Sequence, residues 1–327
     1  MSFGIGIIGF GLIGQKRAQS LGTGQLVAIA DLNAARLKHP LITPTVQTFT
    51  DWHQLLALPE VQIVIVATLH DALSEICIAA AKAGKHVFVE KPAGRNTQEL
   101  IATINETKAL PVKIRVGFNH RYHRAMRKAR EIVQSGALGP LMFLRARYGH
   151  GGRLGYNKEW RADPARSGGG ELIDQGPHLI DLSRYFLGEF TDVQGFAHTY
   201  YWDMPVDDNG FMLLKTKDQQ VAFLHASCTE WKNLFSLEIY GKQGKLDISG
   251  LGGSYGIERL THYHMRPEMG PPDTTSWEYP MADDSWSFEL AEFYDDIRLN
   301  RTPEAGLQDA LEALRIIEIV YKESGYL

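Results

Sequence analysis

The sequence predicts two domains of different class. The first is a Rossmann-type α/β domain with a doubly wound parallel sheet, and the second is an α+β domain with an open, mainly antiparallel sheet and helices. Three observations carry this. Gly9-Phe10-Gly11-Leu12-Ile13-Gly14 stands between a short apolar run and a helix-forming stretch. Val61–Ala67 is almost continuously β-branched, as a strand covered on both faces should be. From Leu141 onward apolar and polar residues alternate and polar turns recur, the pattern of antiparallel strands. A chain of 327 residues exceeds what one hydrophobic core usually serves, and the two domains are placed at 1–121 and 122–327.

In order, Phe3–Ile8 reads as the first strand, the glycine turn follows, and Gln15–Leu21 is helical. Strand, glycine turn and helix form the order that holds a dinucleotide: glycines permit a tight turn and let a pyrophosphate approach the helix N-terminus. The candidate cofactor residues here are Gly9, Phe10, Gly11, Leu12, Ile13 and Gly14. A second strand, Leu26–Ala30, ends at Asp31, about 20 residues on, where a carboxylate accepts the adenosine ribose hydroxyls. An acid there repels a 2′-phosphate and favours NAD over NADP, although Arg36 on the following helix would blur that choice if it sat near the same ribose.

Val61–Ala67 is the next strand, Ala72–Ala83 its crossover helix, and His86–Val89 a strand that ends at Glu90-Lys91-Pro92. Ligands of open parallel sheets bind beyond the carboxyl ends of the strands, so Lys91 is delivered to the cofactor side. The need to turn Lys91 inward motivates a cis Lys91–Pro92 bond. Thr97–Lys108 is a helix and Lys113–Gly117 the last strand of the domain, which closes at Asn119-His120-Arg121.

The second domain opens with a helix, Tyr122–Ser135. Its strands are read at Leu141–Tyr148, Val193–Tyr201, Phe211–Thr216, Val221–Thr229, Phe235–Tyr240 and Lys245–Ser249, and helices at Trp286–Arg298 and Leu307–Tyr321 close the chain. Between the first of these strands and the next helix lies a glycine-rich segment with aromatics among cations: Arg147, His150, Arg153, Tyr156, Trp160 and Arg161. Aromatics cover the C–H faces of a polyhydroxylated ligand while Arg and His donate to its oxygens, and arginines also grip phosphate. A nucleotide sugar would place its pyrophosphate near Arg147, Arg153 or Arg161. Glu230-Trp231-Lys232 offers a further wall.

The candidate chemistry sits at Ser167–Asp181, where Gly168, Gly169 and Gly170 lead into a helical pattern with Asp174 and His178 four residues apart. On a helix that spacing puts both side chains on one face. A carboxylate beside an imidazole orients the ring and stabilises its protonated form, as an acid/base histidine needs. The glycines in front would admit a ligand close to the backbone. Pro177 has no N–H for the carbonyl of Ile173 and should kink or start the helix.

Composition excludes other classes. The net charge is −4, which gives no basic footprint for a nucleic-acid backbone. Cys77 and Cys228 are the only cysteines and have no Cys-x-x-Cys spacing, against a disulfide framework or a structural zinc. His262-Tyr-His264 lacks companions for a metal site, and no metal is assigned. The amino terminus reads as a strand rather than a signal peptide, and no apolar run approaches a membrane span. A soluble, cytoplasmic protein that binds neither membrane nor nucleic acid is expected.

The glycine turn, Ala-Gly-Lys-His-Val-Phe-Val-Glu-Lys-Pro at 83–92 and Gly-Gly-Gly-Glu-Leu-Ile-Asp-Gln-Gly-Pro-His-Leu-Ile-Asp at 168–181 together resemble the glucose-fructose oxidoreductase, inositol dehydrogenase and MocA family. The likeness spans nearly the whole chain. It implies an NAD-dependent dehydrogenase or reductase acting on a CH–OH group of a sugar, nucleotide sugar or cyclitol. His178 would carry the proton, Asp174 would orient it, and Lys91 would stabilise charge on the oxygen. The resemblance adds Thr68, Glu90 and Lys91 to the cofactor side and Asn119 and Arg121 to the substrate side. It further implies a homodimer or homotetramer built through the second domain's sheet. One departure is Ala67-Thr68-Leu69-His70, where the family usually has Ala-Thr-Pro-Asn. An NAD-dependent glycosidase, which cleaves with only transient oxidation, and a sugar-sensing regulator share the same resemblance.

Overall fold

The computed structural model describes residues 2–326 and divides into two units. The first runs to Asn119 and includes Trp286–Glu312; the second is His120–Ser285 with the chain from Ala313 on.

Six parallel strands make the first sheet: β1 (Gly4–Ile8), β2 (Gln25–Ala30), β3 (Gln47–Phe49), β4 (Ile63–Val66), β5 (His86–Glu90) and β6 (Ile114–Gly117), in the order β3-β2-β1-β4-β5-β6. This is the dinucleotide-fold order, with its switch point between β1 and β4. The helices between strands are α1 (Leu12–Gln19), α2 (Trp52–Leu56), α3 (His70–Lys82) and α4 (Thr97–Thr107). Ile5, Ile7, Ile29, Ile63 and Ile65 are fully buried, each side chain worth roughly 1.5–3 kcal/mol of burial. The three-residue β3 and the single-turn α2 are additions to the sequence reading, both too short for a period to show.

Residues 286–312 return to this unit through buried charges. Arg17 of α1 lies between Glu90 at 2.6 Å and Glu289 at 2.8 Å, its guanidinium sandwiched by the rings of Phe88 and Trp286. A cation so deep is tolerable only when paired, and truncating Arg17 would leave two buried carboxylates without it. Arg115 likewise pairs with Asp296.

The second unit begins with α5 (Arg124–Gln134) and β7 (Leu141–Gly149), then the short α6 (Pro164–Ser167) and α7 (Glu171–Leu187). There follow β8 (Phe190–His198), β9 (Asn209–Thr216), β10 (Val221–Ser227), β11 (Leu234–Gly241), β12 (Gly244–Ser249), β13 (Glu258–His264) and β14 (Asp273–Tyr279). They form one eight-stranded sheet, β14-β13-β12-β11-β7-β10-β9-β8, antiparallel except where β7 meets β10. The chain ends with α8 (Ser285–Arg298) and α9 (Leu307–Glu323). Among the described residues no helix is long and apolar enough to cross a membrane.

Two readings of this half change. The strand expected to reach Tyr201 stops at His198, because the amides of Tyr200, Tyr201 and Trp202 all turn onto the Asp208 carboxylate at 2.7–3.0 Å. The pair His262 and His264 lies on β13, a strand the sequence reading did not assign, and its partner β14 is mostly exposed and so carries no apolar alternation.

Candidate active site

The nucleotide side is built by steric necessity. Gly9 has φ +90°, and a Cβ there would come within 2.5 Å of the Ala67 carbonyl. A Cβ on Gly14 would stand 2.0 Å from the Gly9 carbonyl, so only glycine lets α1 close onto β1. Gly11 faces open space, its nearest neighbour being the Arg36 guanidinium at 3.8 Å, and it caps α1 without a side-chain bond. The first-turn amides of α1, from Leu12, Ile13 and Gly14, are thus available for an anion, which fits a pyrophosphate.

Asp31, at the end of β2, accepts from the Phe10 amide at 2.7 Å and the Asn33 amide at 2.8 Å. Arg36 donates to it at 3.2 Å and keeps a half-exposed side chain. The carboxylate therefore locks the glycine turn to the second strand and carries a cation beside it. Thr68 follows β4, while Glu90 ends β5 opposite Gly117 and Lys91 follows it, on the same carboxyl edge. The Lys91–Pro92 bond is cis, as expected from the sequence. Glu90 is spent on Arg17, which ties this edge to α1.

In the second unit the candidate pair lies on α7. The helix continues through Pro177 rather than starting or breaking there, and Asp174 and His178 are both buried on it. The glycines ahead of it serve packing. A Cβ on Gly170 would meet the Asp207 carbonyl at 1.9 Å, and one on Gly169 the Tyr321 hydroxyl at 2.4 Å. The space assigned from sequence to a ligand is filled by the protein itself. Asp207 accepts from the amides of Gly170 at 2.9 Å and Leu172 at 2.7 Å and from the Tyr321 hydroxyl at 2.6 Å, an anionic clamp on the helix N-terminus. Burial pushes its carboxyl up to about 6 against the pull of these donors.

The glycine-rich segment after β7 converges on the first turns of α7. Arg161 donates to Asp174 at 2.7 Å, and that carboxylate raises the guanidinium's already high pKa. Trp160 lies under Arg161, its ring 4.7 Å from the cation. The Tyr156 hydroxyl donates to Glu171 at 3.2 Å, and His150 Nε2 lies 3.5 Å from the same carboxylate. Burial lowers the His150 pKa, with Asp174 opposing it.

Some expected residues point elsewhere. Arg147 is exposed on β7, on the opposite face from buried Tyr148, and reaches Ser236. Arg153 pairs with Glu159 at 2.7 Å toward solvent. Arg121 is buried against Asp181 at 2.7 Å and fastens its turn to α7, while Asn119 is buried at the end of the first unit.

Sequence reasoning missed His120, Tyr148, Glu171 and Tyr255. The His120 imidazole stacks on His178 with centroids 3.9 Å apart and planes 18° from parallel. Tyr148 meets both rings edge-on, at 4.8 Å and 5.9 Å. Burial, with Tyr255, Asp174 and Glu171 nearby, raises the Tyr148 phenol so that it stays protonated. The one signal was positional: Tyr148 alternates with Ala146 and Leu144 on the buried side of β7. A buried imidazole held between an aromatic wall and a helix that also carries an arginine-paired carboxylate is equipped to take and return one proton.

Comparison with known proteins decides the family. Residues 3–118 match the family described as oxidoreductase family, NAD-binding Rossmann fold, and residues 126–247 match the GFO/IDH/MocA C-terminal domain. Myo-inositol 2-dehydrogenase of Thermotoga maritima is 35% identical over 95% of this chain and 92% of its own length. The chain belongs to the Gfo/Idh/MocA family of NAD(P)-dependent oxidoreductases. Levoglucosan dehydrogenase of Pseudarthrobacter phenanthrenivorans is 32% identical over 51% of this chain, but the match spans only 43% of that protein. A solved levoglucosan dehydrogenase in complex with NADH shares the family fold over 99% of this chain and 98% of its own, with TM-score 0.87 at 22% identity.

Proposed function

We propose that this family member is an NAD-dependent dehydrogenase or reductase acting on a secondary hydroxyl or ketone of a sugar, nucleotide sugar or cyclitol. The observation that carries the reading is the buried face of α7, where His178 lies one turn from an Asp174 already engaged by Arg161. When bound, NAD supplies the hydride acceptor. His178 takes the hydroxyl proton as the carbinol is oxidised and returns it in reduction. Asp174, held by Arg161, orients His178. Lys91 stabilises the negative charge that develops on the substrate oxygen, a fixed cation at no cost of rearrangement. The relatives named as inositol and levoglucosan dehydrogenases support a cyclic polyol or sugar substrate. Purified protein mixed with NAD and a panel of inositols, free sugars and nucleotide sugars should form NADH with at least one; cleavage of a chromogenic glycoside without accumulated NADH would point to the glycosidase reading instead.

Gly9 to Gly14 would hold the pyrophosphate and Asp31 the adenosine ribose. Replacing Asp31 by alanine should weaken NAD binding roughly 10- to 100-fold, the range for a hydrogen bond to a charged group. NADP binding should weaken far less, because Arg36 is then unopposed beside the 2′-phosphate. Equal losses in the Kd of both cofactors would leave Asp31 a purely structural lock.

The open face of the eight-stranded sheet carries exposed Phe196, Leu213 and Phe223 on the adjacent strands β8, β9 and β10. A homodimer or homotetramer would cover it. The double variant Leu213→Asp, Phe223→Asp should reduce the mass seen by light scattering to that of one chain. A monomeric wild type, or an unchanged oligomer, contradicts this assignment.

A further inference from the structure

We infer that Trp231 and Tyr201 form an aromatic rim beside the substrate site that stacks a second pyranose ring, so that the substrate is a disaccharide or glycoside rather than a free monosaccharide or inositol. This rests on the oxidoreductase reading above.

Trp231 does not pack into the sheet. It is 71% exposed, Tyr201 is 56% exposed, and their rings meet edge to face at 4.9 Å. The pair is nonetheless fixed to the candidate site by two routes. Through the backbone, the Glu230 amide donates to the His150 carbonyl at 3.0 Å, and a Cβ on Gly151 would come within 2.9 Å of the Trp231 carbonyl carbon. Through the rings, Tyr201 touches Trp202 at 5.1 Å, Trp202 touches Tyr156 at 5.5 Å, and Tyr156 touches His150 at 5.4 Å. Tyr156 and His150 are the residues that face Glu171, one turn before Asp174. A chain of ring contacts, with Tyr156 buried in it, thus links the exposed pair to the first turn of α7.

The indole is also held at a cost. Trp231 has φ +60°, a region bulky residues rarely adopt. Strain of this kind persists where surrounding structure imposes it and tends to cluster at ligand-binding positions. Exposed aromatics beside polar groups suit the apolar face of a sugar ring.

Charge selects the occupant. Arg153 is tied to Glu159 and Arg161 to Asp174, while Arg147 lies on the far face of β7. A diphosphate would have to break these pairs, whereas a neutral pyranose needs only the aromatic surface and hydroxyl partners. A neutral second sugar is favoured over a nucleotide.

The test uses matched pairs differing by one ring: glucose with cellobiose and maltose, galactose with lactose, and myo-inositol with galactinol, each with NAD. In the wild type, kcat/KM should be at least tenfold higher for the two-ring member of the best pair. Trp231→Ala should cut the two-ring to one-ring ratio about tenfold, and Trp231→Phe should restore most of it. A wild type without two-ring preference, or an equal loss on both members, overturns the inference. So does a change in oligomeric mass on substitution, since the patch would then be a subunit contact. If no sugar yields NADH, the oxidoreductase reading is what has failed, and binding decides the rim separately. Quenching of tryptophan fluorescence by one of the two-ring sugars, present in wild type and absent in Trp231→Phe, supports it; no difference between the two proteins overturns it.

Discussion

Replacing His178 by alanine should lower turnover by roughly 10²- to 10⁴-fold, the range for an acid/base group, while the Kd for NAD should stay at the wild-type value. The separation follows from where the residue sits. His178 is on α7 of the second unit, and the residues that would hold the dinucleotide belong to the first. On the proposed chemistry, removing the imidazole would leave the alcohol without a proton acceptor and the glycine turn intact. It also removes one face of the stack with His120, so the folded state is checked by an unchanged thermal transition or by His178→Asn, which keeps most of the side-chain volume. Turnover near wild type would show that His178 is only a packing residue beside His120 and Tyr148.

Lys91→Met should cost turnover at least as much, on the order of 10³-fold, because a fixed charge that acts only on the transition state is lost. Methionine keeps the unbranched stem and takes away the ammonium, so the end of β5 should stay in place. That end is anchored independently by Glu90 on Arg17. The loss should fall on kcat. A rise in KM with kcat preserved would instead assign Lys91 to substrate binding.

Much of the fold was legible because it is written in strong local periods. The β-branched run of β4, the glycine turn before α1 and the alternation along β7 to β12 each impose one conformation on their own. The short β3 and the exposed β14 were not legible, since neither carries enough apolar residues to show a period. At the site, spacing was enough to place Asp174 and His178 one turn apart on one helix, and composition was enough to single out the segment that carries His150, Tyr156 and Arg161. What no spacing shows is which residue a charge will choose. Arg161 pairs with Asp174, Arg153 with Glu159 and Arg121 with Asp181, and only the fold sets these choices. The glycines before α7 misled for a related reason: a missing Cβ announces a close approach, and here Asp207 and Tyr321 make it. His120 was invisible because its partner lies 58 residues away in sequence and only the fold brings them face to face.

Following the hydrogen tests the proposed transfer most directly. The best substrate of the NAD panel, deuterated at its reacting carbinol carbon, should pass that deuterium to the cofactor, so that the reduced nucleotide is one mass unit heavier and forms more slowly than from the unlabelled compound. A reduced cofactor without deuterium, or no reduction of NAD by any inositol, sugar or glycoside offered, would contradict it.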